Sequence, residues 1–166
     1  MHQPVRLFVR AYRPRWNGES GWAAVLVDGQ GHPGQHRAGA SPGSVLAERS
    51  GYHAGKSFAG ASDYRAVIAG LEDASALGIA LIVVMTSSGL VRDQMTNQRP
   101  VLGAEFLPLV RRVDCLVKQV GFVEWELVPA NGNLAGPLAR EAYLAGPVTN
   151  QSLLRSGSSG TNGRTG

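Results

Sequence analysis

Cysteine is almost missing from this chain, with Cys115 its one representative among 166 residues. A single thiol excludes an internal disulfide and suits a reducing compartment, so a cytoplasmic protein is expected. Long hydrophobic runs are missing too. No apolar stretch approaches the roughly 20 residues of a helical membrane span, and the start of the sequence has no apolar signal core. No glycine-rich phosphate loop follows a strand-like run, which argues against a generic α/β domain with flavodoxin-like connections. Charge of one sign is scarce: sixteen Lys and Arg against twelve Asp and Glu leave a formal net charge of +4. With 43% hydrophobic and 17% charged residues the chain is globular rather than disordered, and its length suits one domain.

What is present follows two periods. Val5, Leu7 and Val9 alternate with Arg6, Phe8 and Arg10, which predicts a strand with Arg10 near its end. Gly21 to Asp28 is a second apolar run, and Asp28-Gly29 suits a turn into a third strand near 34–40. Pro42, Gly43, Gly51, Gly55 and Gly60 mark an irregular insertion at about 41–60. Tyr64, Val67, Ile68 and Leu71 recur at helical spacing, predicting an amphipathic helix over about 62–76.

Ala80 to Met85 reads as a strand buried on both faces, and Ser87 or Ser88 can cap a short helix reaching about Met95. Phe106, Val110, Val113, Val117 and Val120 form a second helical stripe, with Cys115 read as core within it. Phe122 to Val128 reads as a strand and 134–144 as a closing helix. The expected class is α/β: a mixed five-stranded sheet, its first three strands antiparallel and the later ones parallel, flanked by helices. A single domain over 1–155 is expected, with a flexible tail at 156–166, where Gly, Ser, Thr, Asn and Arg offer no apolar anchor.

The basic residues are unevenly placed. Arg6, Arg10, Arg13 and Arg15 crowd the start beside Tyr12 and Trp16. Cations interleaved with aromatics suit a phosphate backbone with stacking bases, although a solvated strand edge would also accommodate them.

In order and spacing four segments resemble the type 1 ribonuclease H family. They are Val5 to Arg10 with Gly21 to Leu26; Ser62 to Glu72; Val83 to Val91; and Val128 to Asn131 leading to Leu134 through Ala139. The resemblance covers about residues 5–144 and implies the fold just described, with carboxylate-bound magnesium cutting the RNA strand of RNA–DNA hybrids. Magnesium prefers hard oxygen ligands, and two such ions about 4 Å apart need several carboxylates to neutralise them. At the family's four acidic positions this chain reads Arg10, Asp63, Ser87 and Gly136. One shorter acid and one guanidinium cannot hold such a pair, so no intact catalytic set and no metal site are expected.

The resemblance therefore points to a catalytically degenerate domain that binds nucleic acid, either an RNA–DNA hybrid or double-stranded RNA, through backbone and shape. Arg10, Arg13, Arg15, Trp16 and Lys56 are the expected contacts. Arg10 either pairs with Asp63 inside the fold or grips a phosphate where a metal would sit. Two alternatives stand beside this reading. One is a protein-interaction module that has kept the fold without nucleic-acid binding. The other is an active hybrid nuclease whose metal site, the only case requiring Mg2+, is rebuilt from Glu19, Glu48, Asp93 or Glu141. The oligomeric state is open.

Overall fold

The structure is a computed structural model that describes residues 4–15, 18–29, 43–55 and 60–148. Strands β1 (Val5–Tyr12), β2 (Ser20–Val27) and β3 (Val45–His53) precede helix α1 (Ala61–Ala76). Strand β4 (Leu81–Thr86), helices α2 (Gly89–Met95) and α3 (Leu107–Val120), strand β5 (Phe122–Leu127) and helix α4 (Gly136–Ala145) follow. The strands form one sheet in the order β3-β2-β1-β4-β5. The hairpin pairs β1/β2 and β2/β3 are antiparallel, and β1/β4 and β4/β5 are parallel. The expected mixed five-stranded sheet is thus the observed one.

Alternation explains how the sheet is covered. Leu7 and Val9 of β1, with Ile82 and Val84 of β4, point into one core beneath α1 and α3. Phe8 of β1, with Val83 and Met85 of β4, faces the other side, where Ala135 and Ala139 at the start of α4 meet Ala23 and Val25 of β2. Helix α1 commits Tyr64, Val67, Leu71 and Ala74 to the first core, at the three-and-four spacing of one helical face. Each large side chain buried in this way contributes roughly 1.5–3 kcal/mol relative to exposure. The buried Tyr64 hydroxyl donates to Gln94 Oε1 at 2.6 Å, so α1 is latched to α2 through the core.

Two expectations are corrected. The third strand of the sheet is Val45–His53, inside the stretch expected to be irregular, while 34–40 lie outside the described residues. As an edge strand it leaves most of its side chains exposed, so it carries no apolar run to betray it. The backbone N–H of Asp28 donates to Ser44 O at 2.9 Å where β2 and β3 meet the connection between them. Cys115 is exposed, not core. The stripe that α3 buries is Val113, Leu116 and Val120, and Cys115 lies off it. The tail expected at 156–166 lies outside the described residues. Among the described residues no helix is long and apolar enough to cross a membrane.

Candidate nucleic-acid interface

Strand β4 ends at Thr86 opposite Val9, β1 runs on to Tyr12, and the first turn of α1 reaches the backbone of β1 at Ala11. Gly60 precedes α1 with φ 96°, a left-handed conformation that L side chains rarely adopt, and lets the chain turn sharply into the helix. The Ser62 hydroxyl shares a hydrogen bond with the Ser20 hydroxyl at the start of β2, which fixes the first turn of α1 against the sheet. That places Asp63 at the strand ends, only 7% exposed. Its carboxylate accepts the backbone N–H of Ala11 and lies 3.6 Å from the Arg13 guanidinium.

Arg10, Ala11, Arg13, Asp63, Ser87 and Ser88 together line an open depression of about 240 Å³. Three of the four positions singled out in the sequence, Arg10, Asp63 and Ser87, therefore converge in space. Gly136 opens α4 and does not line the depression. The link between them is Asn133, which sequence reasoning passed over as part of a connection. Its side-chain amide donates to Val9 O at 2.8 Å and to Ser87 Oγ at 3.1 Å. Its Oδ1 accepts the Ala135 N–H at 3.0 Å, and its carbonyl accepts the Gly136 N–H. One buried amide thus ties the ends of β1 and β4 to the start of α4. Only a polar residue just ahead of a helix signals this role in the sequence.

Ser87 and Ser88 divide their work. Ser88 caps α2, its hydroxyl accepting the Val91 N–H at 3.3 Å, while Ser87 is held by Asn133. The ion pair to Asp63 is made by Arg13, where Arg10 was the expected partner. β1 runs past Arg10 to Tyr12, and the chain then turns so that Arg13 reaches back over the start of α1. Arg10 still acts on Asp63 through space. Burial pushes the Asp63 carboxyl above the ordinary carboxylate value, opposed first by Arg13, then by Arg10 and by the Ala11 N–H. Arg15 is exposed beyond the strand end and lines nothing here. Trp16 and Lys56 lie outside the described residues.

The depression does not match what a magnesium pair requires. Its lining offers one carboxylate beside two guanidinium groups, whose positive charge repels a divalent cation. Among the described residues no three His, Cys, Asp or Glu side chains are grouped to hold an ion. Glu48 and Glu141 point to solvent from β3 and α4, Asp93 pairs with Arg92 at 2.6 Å, and Glu19 meets Tyr52; none lines the depression. What the lining suits is an anion. Two guanidiniums with serine hydroxyls beside them present donors to a phosphate oxygen, and Asp63 holds Arg13 in place.

Comparison with known proteins agrees with the fold. Residues 16–142 match the family model described as reverse transcriptase-like. The Bifunctional protein Rv2228c of Mycobacterium tuberculosis is 34% identical over 126 residues, which cover 71% of this chain and 34% of that protein. An uncharacterized Mycobacterium bovis protein, Mb2253c, matches over the same extent at the same identity. The chain spans about one third of the length of these curated relatives. Among solved structures, the N-terminal RNase H domain of Rv2228c superposes with TM-score 0.73 at 28% identity, covering 91% of this chain and 99% of that one. LC11-RNase H1, solved in complex with an RNA/DNA hybrid, superposes with TM-score 0.69 at 21% identity over 90% of this chain and 99% of its own, a likeness of fold alone.

Proposed function

The chain belongs to the reverse transcriptase-like family of ribonuclease H-like domains, and from that premise we propose that it binds nucleic acid without cleaving it. The ligand is an RNA–DNA hybrid or double-stranded RNA, recognised by backbone and shape. The observation that carries this reading is the lining of the depression: Arg10 and Arg13 stand at the end of β1 beside the single carboxylate Asp63. A guanidinium there takes a phosphate oxygen directly, with no bridging cation. A-form helices suit such a site because they are read through phosphates and 2′-hydroxyls across a shallow minor groove.

Asp63 serves by positioning. It orients Arg13 through the 3.6 Å ion pair and, accepting from Ala11, keeps the end of β1 next to the start of α1. Hybrid, double-stranded RNA, duplex DNA and single strands of matched sequence, titrated at two salt concentrations, test the proposal. Binding should favour the A-form duplexes and weaken steeply with salt, because neutralised phosphates release counterions. Absence of salt-dependent binding to every one of these probes would discard the nucleic-acid reading in favour of a protein-interaction module on the same fold.

A further inference from the structure

A row of aromatic rings starts at Tyr12, two residues along β1 from Arg10 of the cationic depression. Side chains alternate along a strand, so Arg10 and Tyr12 lie on the same face of β1, the face that α4 covers. Across the sheet Tyr12 pairs with Gly21 of β2, and Gly21 pairs in turn with Tyr52 of β3. The middle residue of that row has no side chain, and it needs to have none. A Cβ at Gly21 would stand 2.0 Å from Ala139 O and 2.6 Å from the Tyr143 backbone nitrogen. The backbone of α4 therefore rests directly on β2, which sets Tyr143 between the two strand tyrosines.

The Tyr143 ring centroid is 5.5 Å from that of Tyr12, edge-on at 63°, and 6.3 Å from that of Tyr52, tilted at 40°. All three rings stay partly exposed, whereas Ala139 and Ala142 of the same helix are buried. The Tyr52 hydroxyl donates to the Glu19 carboxylate, which restrains the outer ring of the row. Gly21 and the buried alanines seat α4 and Tyr12 packs against the same cluster, yet all three tyrosines keep part of their surface open to solvent. A fixed row of rings that begins two residues from a phosphate-binding arginine has the composition of a single-strand surface, with cations for the backbone and aromatics for the bases.

We propose that the Tyr12–Tyr143–Tyr52 row stacks unpaired bases, so that the favoured ligand carries a single-stranded segment adjoining the duplex held at Arg10 and Arg13. This rests on the nucleic-acid reading above and adds to it the chemical feature that selects among ligands. The test uses the full chain and two fluorescein-labelled RNA–DNA hybrids, one blunt and one with a short unpaired overhang. The overhang probe should bind about tenfold more tightly than the blunt one. Tyr143→Leu, which keeps apolar bulk and removes the ring, should erase that difference and leave blunt-probe affinity unchanged. Tyr143→Phe should preserve the difference, and Arg10→Ala should weaken both probes. Should Tyr143→Leu fail to fold, Tyr52→Leu on the edge strand makes the same comparison. Equal affinity for the two probes, or an advantage that survives whichever leucine variant folds, overturns the stacking row while leaving the nucleic-acid reading intact. Failure of both probes to bind rejects the two together.

Discussion

The two faces of β1 follow different rules. Toward α1 and α3 the strand presents Leu7 and Val9, no more than 1% exposed, locked among Tyr64, Val67, Ile82 and Val84. Toward α4 it presents Arg6, Phe8, Arg10 and Tyr12, where cation and ring alternate and only Phe8 is fully buried. The first face determines whether the sheet forms at all. The second carries arginines of the proposed binding site, at one strand end with a handful of side chains. On the proposed reading, a scaffold organised in this way accepts a guanidinium in place of a carboxylate at that end without disturbing the layer that holds it together. The proposed reading therefore makes fold and binding separable, so that each can be probed without the other.

The contrast is sharpest for a truncation in the core. Leu7→Ala should cost about 3 kcal/mol, because it removes buried methyl groups and leaves a cavity that the packed layer only partly fills. Denaturant unfolding measures this, and under conditions where the variant is folded its affinity for hybrid should match the parent. A cost below about 1 kcal/mol would show that the α1/α3 face is not the one holding the sheet.

A smaller and opposite result is expected on the other face. Arg10→Ala should reduce hybrid affinity and lower the salt dependence by about one counterion. Stability should move by less than about 1 kcal/mol, since Arg13 still pairs with Asp63. A large loss of stability with affinity unchanged would make Arg10 a structural residue and break the comparison.

The smallest effect concerns Asp63. Its folded value is raised above the ordinary carboxylate value of 3.8, burial being the first cause. A raised acid binds its proton more tightly in the folded state, so the stability it confers is full below the ordinary value and is lost as pH rises through the raised one. Melting temperature measured from acid toward neutral pH should therefore fall more for the parent than for Asp63→Asn. Asp73, also raised by burial, is common to both proteins and cancels in the difference. Parallel profiles would mean that Asp63 is solvated in solution and that the strand ends are more open than in the structure.

These contrasts also show what could be read without a structure. The alternation of Val5, Leu7 and Val9, the run Ala80 to Met85, and the spacing of Tyr64, Val67 and Leu71 locate β1, β4 and α1, because burial on one face imposes a period. β3 escaped because an exposed edge strand is under no such demand. Convergence of Arg10, Asp63 and Ser87 was legible through the order of the segments, since β1, β4 and α1 bring them together by topology. The Arg13–Asp63 pair was not, as it depends on how the chain turns after Tyr12. Asn133 and the tyrosine row were invisible for a related reason: their contacts join distant parts of the chain, Asn133 to Val9 across 124 positions, and depend on register and on the close approach of α4 to Gly21.

On the proposed reading, the scaffold of a hybrid nuclease persists here with its metal chemistry replaced by a cationic phosphate site. The most direct test is a cleavage assay on a labelled RNA–DNA hybrid with magnesium or manganese. The same assay is run on the Arg10→Asp, Asp63→Glu, Ser87→Asp and Gly136→Asp combination, which restores acids at all four positions. Intact hybrid is expected with the parent protein, and metal-dependent product with the restored variant. Metal-dependent cleavage by the parent, abolished by Asp63→Ala, would contradict it.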